Sequence, residues 1–105
     1  MKVQLLHTSG CHVWREALII LEEALKAAQE EVRLEIVLIE NNVQAKKYRF
    51  LGSPTILIDS QDVDPLAKKA TNFAAVACRP YFYQGKSYDY PTKEMIVKVL
   101  TGIRK

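Results

Sequence analysis

The sequence predicts an α/β domain built on a four-stranded mixed sheet with helices on both faces. Two observations carry that prediction. The apolar positions switch between strand-like runs and helix-like spacing in the order β-α-β-α-β-β-α. The segment joining the first two strands is a long amphipathic helix, and a crossover of that kind places the two strands parallel. With 105 residues and no repeat, low-complexity segment or linker, residues 1–105 read as one domain with one modest core.

Residues 2–7 form the first strand, with Val3 and Leu5 on one face and Leu6 on the other. Thr8-Ser9-Gly10 breaks it. From Val13 to about Glu30, Trp14, Leu18, Leu21, Leu25 and Ala28 recur every three or four residues, and Ala17, Ile20 and Ala24 widen the stripe. Residues 32–39 start as alternation and end as a continuous apolar run, which fits a strand covered on both faces at one end. Asn41 or Asn42 caps a shorter helix through about Phe50, and Gly52 stops it. Thr55–Ile58 is the third strand, and Asp59 to Pro65 is turn chemistry. A short, weak helix followed by loop is expected over 66–75. Val76–Tyr83 reads as a fourth strand, placed at an edge by Pro80 and antiparallel to the third. Gln84-Gly85-Lys86-Ser87 turns the chain. Pro91 opens a last helix carrying Met95, Ile96, Val99, Leu100 and Ile103.

The formal net charge is +3, and the basic residues are scattered rather than gathered into a stripe with interleaved aromatics. Nucleic acid is therefore not an expected partner. The N-terminal apolar stretch is too short for a secretory signal, and no run reaches the ~18–20 apolar residues that span a bilayer, so no membrane association is expected and the cytoplasm is the expected location. In a reducing compartment, the two cysteines, Cys11 and Cys78, argue for reactive or metal-binding thiols over a structural disulfide. A free cysteine is also a common small apolar core residue, which is the plain alternative for Cys78.

Cys11 is the residue around which the chemistry is read. It lies in Gly10-Cys11-His12-Val13-Trp14, where a strand gives way to a helix. Unpaired backbone N–H groups and the positive end of the helix dipole favour a thiolate there, the form that attacks disulfides and binds metals. His12 is expected as an exposed loop side chain. His7 faces either the site or the core, and Trp14 is either a core anchor or a wall that keeps water from Cys11. Asp59, Asp62 and Asp64 do not match a calcium loop and read as turn formers. Tyr81, Tyr83, Tyr88 and Tyr90 give the C-terminal hairpin an aromatic surface. Packing against the last helix accounts for it, and a homodimer contact is the alternative.

The element order, the cysteine at the start of helix one and the Ser53-Pro54 step into strand three resemble the thioredoxin/glutaredoxin fold over roughly residues 2–58 and 76–103. Gly10-Cys11-x-x-Trp14, Leu51-Gly52-Ser53-Pro54-Thr55 and Cys78-Arg79-x-Tyr81 resemble a group of small bacterial thioredoxin-like proteins, mostly of unassigned function. The cysteine pair is also similar, more faintly, to the alkylmercury lyase core. The resemblance implies a cis Pro54 beside Cys11. It implies Cys11, Cys78 and Pro54 as catalytic residues, and Gly10, His12, Trp14, Ser53 and Thr55 as the lining of a substrate groove. The chain departs from dithiol oxidoreductases in carrying Trp14 where their second cysteine stands. No glutathione-binding residues of the monothiol type, and no acidic third residue of the lyase, are identified.

Three functions remain open on this reading. The first is thiol-based redox chemistry on a thiol or disulfide substrate, protein or small molecule, with Cys11 as nucleophile and Cys78 as resolving thiol. The second is a soft-metal or organomercurial thiol site formed by Cys11 and Cys78. The third is a non-catalytic thioredoxin-like interaction module. No cofactor is expected, and no residue is assigned as a resident metal ligand.

Overall fold

Lys2–His7 (β1) is one of the two inner strands of the sheet. The computed structural model describes residues 1–29 and 31–104. β1 pairs parallel with Arg33–Leu38 (β2) and antiparallel with Thr55–Ile58 (β3), and β3 pairs antiparallel with Gln61–Asp62 (β4). The strand order is β2-β1-β3-β4, a four-stranded mixed sheet. Trp14–Ala27 (α1) joins β1 to β2, Asn42–Tyr48 (α2) joins β2 to β3, and Lys93–Arg104 (α3) closes the chain. The expected end of the first helix at Glu30 and the expected core contact of Ile103 lie outside the described residues and side chains.

The period-two pattern of β1 sorts its side chains between two cores. Val3 and Leu5 join Ile56 and Ile58 of β3 on one face, covered by Ala17, Leu21, Ala24 and Leu25 of α1 and by Met95, Ile96, Val99 and Leu100 of α3. Leu6 and Leu57 face the other way and pack with Ile39, Ala45 of α2 and Phe50. Helices therefore lie on both faces, as the amphipathic spacing predicts.

The expected fourth strand is not where the sequence places it. Asp59 and Ser60 both have positive φ, 48° and 68°, as a two-residue type I′ hairpin turn requires, so β3 folds straight back onto Gln61–Asp62. That turn fills the sheet edge that Val76–Tyr83 was expected to occupy. Residues 76–80 run without regular structure. Only Tyr81–Tyr83 (β5) is strand, and it pairs with Lys86–Tyr88 (β6) in a separate hairpin turned by Gln84 and Gly85, again at positive φ. The element order thus gains short strands at 61–62 and 86–88, and the short helix expected over 66–75 is a 3-10 turn at Pro65–Lys69, capped by the Asp64 carboxylate and followed by loop.

Three smaller differences have local causes. α2 stops at Arg49, which takes the left-handed conformation at φ 57°, rather than at Gly52. α3 begins after Thr92, whose hydroxyl accepts from the Met95 N–H, so Pro91 precedes the helix. β2 is an open edge strand, and Leu34, Ile36 and Leu38 are exposed rather than covered.

Candidate functional site

Three chain segments meet at the carboxyl end of β1. The first is the turn that follows that strand. The Cys11 N–H donates to the Thr8 carbonyl at 3.3 Å, which curls residues 8–11 before α1 begins at Trp14. Cys11 is buried by this curl, with 8 % exposure, and it is a free thiol. Val13 occupies the N-cap position of α1 and has no side-chain acceptor for the first-turn N–H groups.

The second segment is Gly52–Thr55. The Ser53–Pro54 peptide bond is cis, and both residues are buried. The Ser53 hydroxyl accepts from the Thr8 N–H at 3.2 Å, so the proline step is tied to the turn that carries Cys11. The Thr55 hydroxyl donates to the Gly52 carbonyl at 2.6 Å and closes the turn. Thr8 itself is buried, and its Oγ1 makes no hydrogen bond among the described residues.

The third segment carries Cys78. The Ser53 N–H donates to the Val76 carbonyl at 3.0 Å. Ala77 lies against Gly10, 3.7 Å from where a side-chain carbon there would stand. Gly52 has φ 142°, and a side chain on it would meet the Arg79 Cβ at 2.8 Å and the Cys78 carbonyl at 3.0 Å. Only glycine fits that backbone and that contact. Cys78 sits in this loop, before β5, as a free and exposed thiol.

Of the other sequence-predicted residues, Gly10 and His12 are exposed, and Trp14 is half-buried against the α1 core. Trp14 is stacked with His7 at 4.2 Å between ring centroids, and the Arg15 guanidinium lies 5.3 Å from its ring. His7 therefore faces α1. The tyrosines turn mostly inward: Tyr81 is fully buried, and Tyr83, Tyr88 and Tyr90 pack on the same core.

A buried ionic cluster holds the Cys78 loop in place, and it is the part of the site that the sequence reading missed. The Arg79 guanidinium donates to both Asp62 carboxylate oxygens, at 2.8 and 3.0 Å, and to the Thr55 hydroxyl at 3.0 Å, with Asp64 3.8 Å away. It also lies 4.4 Å from the Tyr81 ring, whose hydroxyl donates to the Pro54 carbonyl. Burial works against the guanidinium's charge, but Tyr81, the Asp62 hydrogen bond and the two carboxylates outweigh it and raise its pKa. Burial pushes the Tyr81 phenol well above its ordinary range, Arg79 draws it partly back, and Asp62 and Asp64 add to the rise. The hint in the sequence was an arginine directly after Cys78 and two aspartates alternating at 62 and 64. Asp62 and Asp64 are turn formers, as expected, and they are also its ion-pair partners.

A family model described as a domain of unknown function, DUF2703, matches residues 9–100. The chain belongs to this family. The match takes in Cys11, the Gly52–Thr55 turn, Arg79 and its partners, and Cys78, and it begins one residue after Thr8. No curated protein matches the chain. Among the described residues, no group of three or more His, Cys, Asp and Glu side chains is placed to hold a metal ion, and no helix is long and apolar enough to cross a membrane. A cleft of about 680 Å³ opens between β4, the β5–β6 hairpin and α3. Neither cysteine is among the residues that line it.

Proposed function

We propose that this is a thioredoxin-like thiol protein that exchanges disulfides through Cys11, with Cys78 resolving the mixed disulfide. One observation carries the reading: the segments bearing the two cysteines pass side by side. The Ala77 Cβ lies 3.7 Å from where a side-chain carbon on Gly10 would stand, and each of these residues directly precedes a cysteine. The cis Ser53–Pro54 step, hydrogen-bonded to the Cys11 turn through Thr8, supports the same reading, as does the strand order around β1.

The chemistry balances with the two thiols alone. The Cys11 thiolate attacks one sulfur of a substrate disulfide, a new S–S bond forms, and the first substrate thiolate leaves. The Cys78 thiolate then attacks the Cys11 sulfur and expels the second. The substrate gains two electrons, and the protein is left with a Cys11–Cys78 disulfide. Cys11 is shielded and Cys78 is exposed, which suits a nucleophile protected until substrate docks and a resolving thiol on a loop.

The test is exchange with a small aromatic disulfide, followed by intact-mass spectrometry. The reduced wild-type protein should release two thiols and lose two hydrogens. Cys78→Ser should stop at a single adduct on Cys11. A Cys78→Ser protein in which Cys11 stays unmodified would overturn the assignment. Wild-type protein carrying stable adducts on both thiols would overturn the resolving role.

A further inference from the structure

The open edge of β2 carries two sets of unmet groups on the same residues. Arg33 N–H donates to the Met1 carbonyl and Ile39 N–H to the His7 carbonyl, so the odd-numbered residues between them bond inward to β1. The N–H and C=O groups of Leu34, Ile36 and Leu38 therefore point outward from the sheet. The side chains of these three residues are also exposed, at 37, 46 and 40 %, in a row on one face. Sheet edges are ordinarily blunted by lysine, proline or a bulge, and Leu34–Leu38 has none of these.

We propose that β2 pairs antiparallel with β2 of a second copy of this chain, about a two-fold axis through Ile36, joining two four-stranded sheets into one of eight strands. The sequence of the strand selects both the partner and the register. Centred on Ile36, Leu34 of each copy lies opposite Leu38 of the other and Ile36 opposite itself. All the outward backbone groups then fall at hydrogen-bonded positions. On the other face, Glu35 meets Val37 and Arg33 meets Ile39, so no like charges oppose. Shifting the centre to Glu35 sets two carboxylates against each other. Shifting it to Val37 sets Leu34 against Glu40. The self-matching row is satisfied by a copy of itself without any other molecule, and the contact is independent of the thiol site.

Sedimentation equilibrium over a wide concentration range should show the wild-type mass rising toward twice the monomer. Ile36→Lys brings two ammonium groups together at the axis and should lower the association constant at least tenfold. The register is tested by cross-linking in a Cys11→Ser/Cys78→Ser background. With a linker shorter than about 8 Å, Ile36→Cys should give covalent dimer. Leu34→Cys should not, because its two copies would stand about 13 Å apart at ~3.3 Å per residue. The mixed pair Leu34→Cys with Leu38→Cys should link. A wild-type protein that stays monomeric at all concentrations would overturn the proposal, as would a dimer that Ile36→Lys leaves intact. Equal linking of Leu34→Cys and Ile36→Cys would overturn the register. These cysteine variants also serve if Ile36→Lys fails to fold.

Discussion

Arg79 is the most constrained side chain in the molecule: a buried cation with a bidentate carboxylate partner, a hydroxyl and an aromatic face. Removing one member of such a pair leaves an uncompensated buried charge. Asp62→Ala should therefore lower stability by about 3 kcal/mol in urea unfolding and slacken the loop that holds Cys78. Gly52→Ala should destabilise more than an ordinary surface change, because the added carbon meets Arg79 and the Cys78 carbonyl at a backbone angle that alanine resists. Tyr81 sets a pH dependence with a definite sign. Its folded-state pKa is raised, so the folded protein keeps the phenol proton that the unfolded chain loses near pH 10. Stability is unaffected by this group below pH 10 and falls above it, by up to about 1.4 kcal/mol per pH unit. Tyr81→Phe should flatten that alkaline limb in denaturant melts between pH 9 and 11. Cys11 and Pro54 stood out in the sequence because their signals are local, a thiol before a helix and a proline before a strand. The Arg79–Asp62 pair joins β4 to a loop 17 residues further on, and nothing in either segment by itself names the other.

At the scale of elements, the patterns with long apolar repeats were legible and the short ones were not. α1, β1 and β3 follow from spacing that continues for a whole face. β4 is two residues long, and a strand of that length has no period to read. It exists because the Asp59–Ser60 turn fits a tight hairpin. Val76–Tyr83 had a strand-like composition, but Pro80 withholds a donor and Arg79 turns into the ionic cluster instead of a ladder. The second half of β2 was apolar enough to suggest full burial, yet it lies at a sheet edge, and composition alone does not distinguish an inner strand from a sticky outer one. α2 depends on its ends. The Asn41 carboxamide accepts from the Gln44 N–H at 2.9 Å, while the Gln44 side chain accepts from the Glu40 N–H. Asn41→Ala should cost about 1 kcal/mol of stability, measured by thermal or urea unfolding.

For the whole molecule, the proposal that the two thiols form one site rests on three segments converging at the end of β1. Ser53 ties the proline turn to the Cys11 curl, and Arg79 draws the loop of Cys78 down onto Gly52. The sequence displayed each segment, but the meeting of the third with the other two depends on a buried ion pair that only the folded chain reveals. The measurement that tests this most directly is a peptide map of the wild-type protein after mild oxidation with a small disulfide, under conditions dilute enough to keep contacts between copies rare. One cross-linked pair of peptides containing Cys11 and Cys78 is expected, abolished by reduction and weakened in Asp62→Ala. Recovery of the two cysteines in separate, unlinked peptides would contradict it.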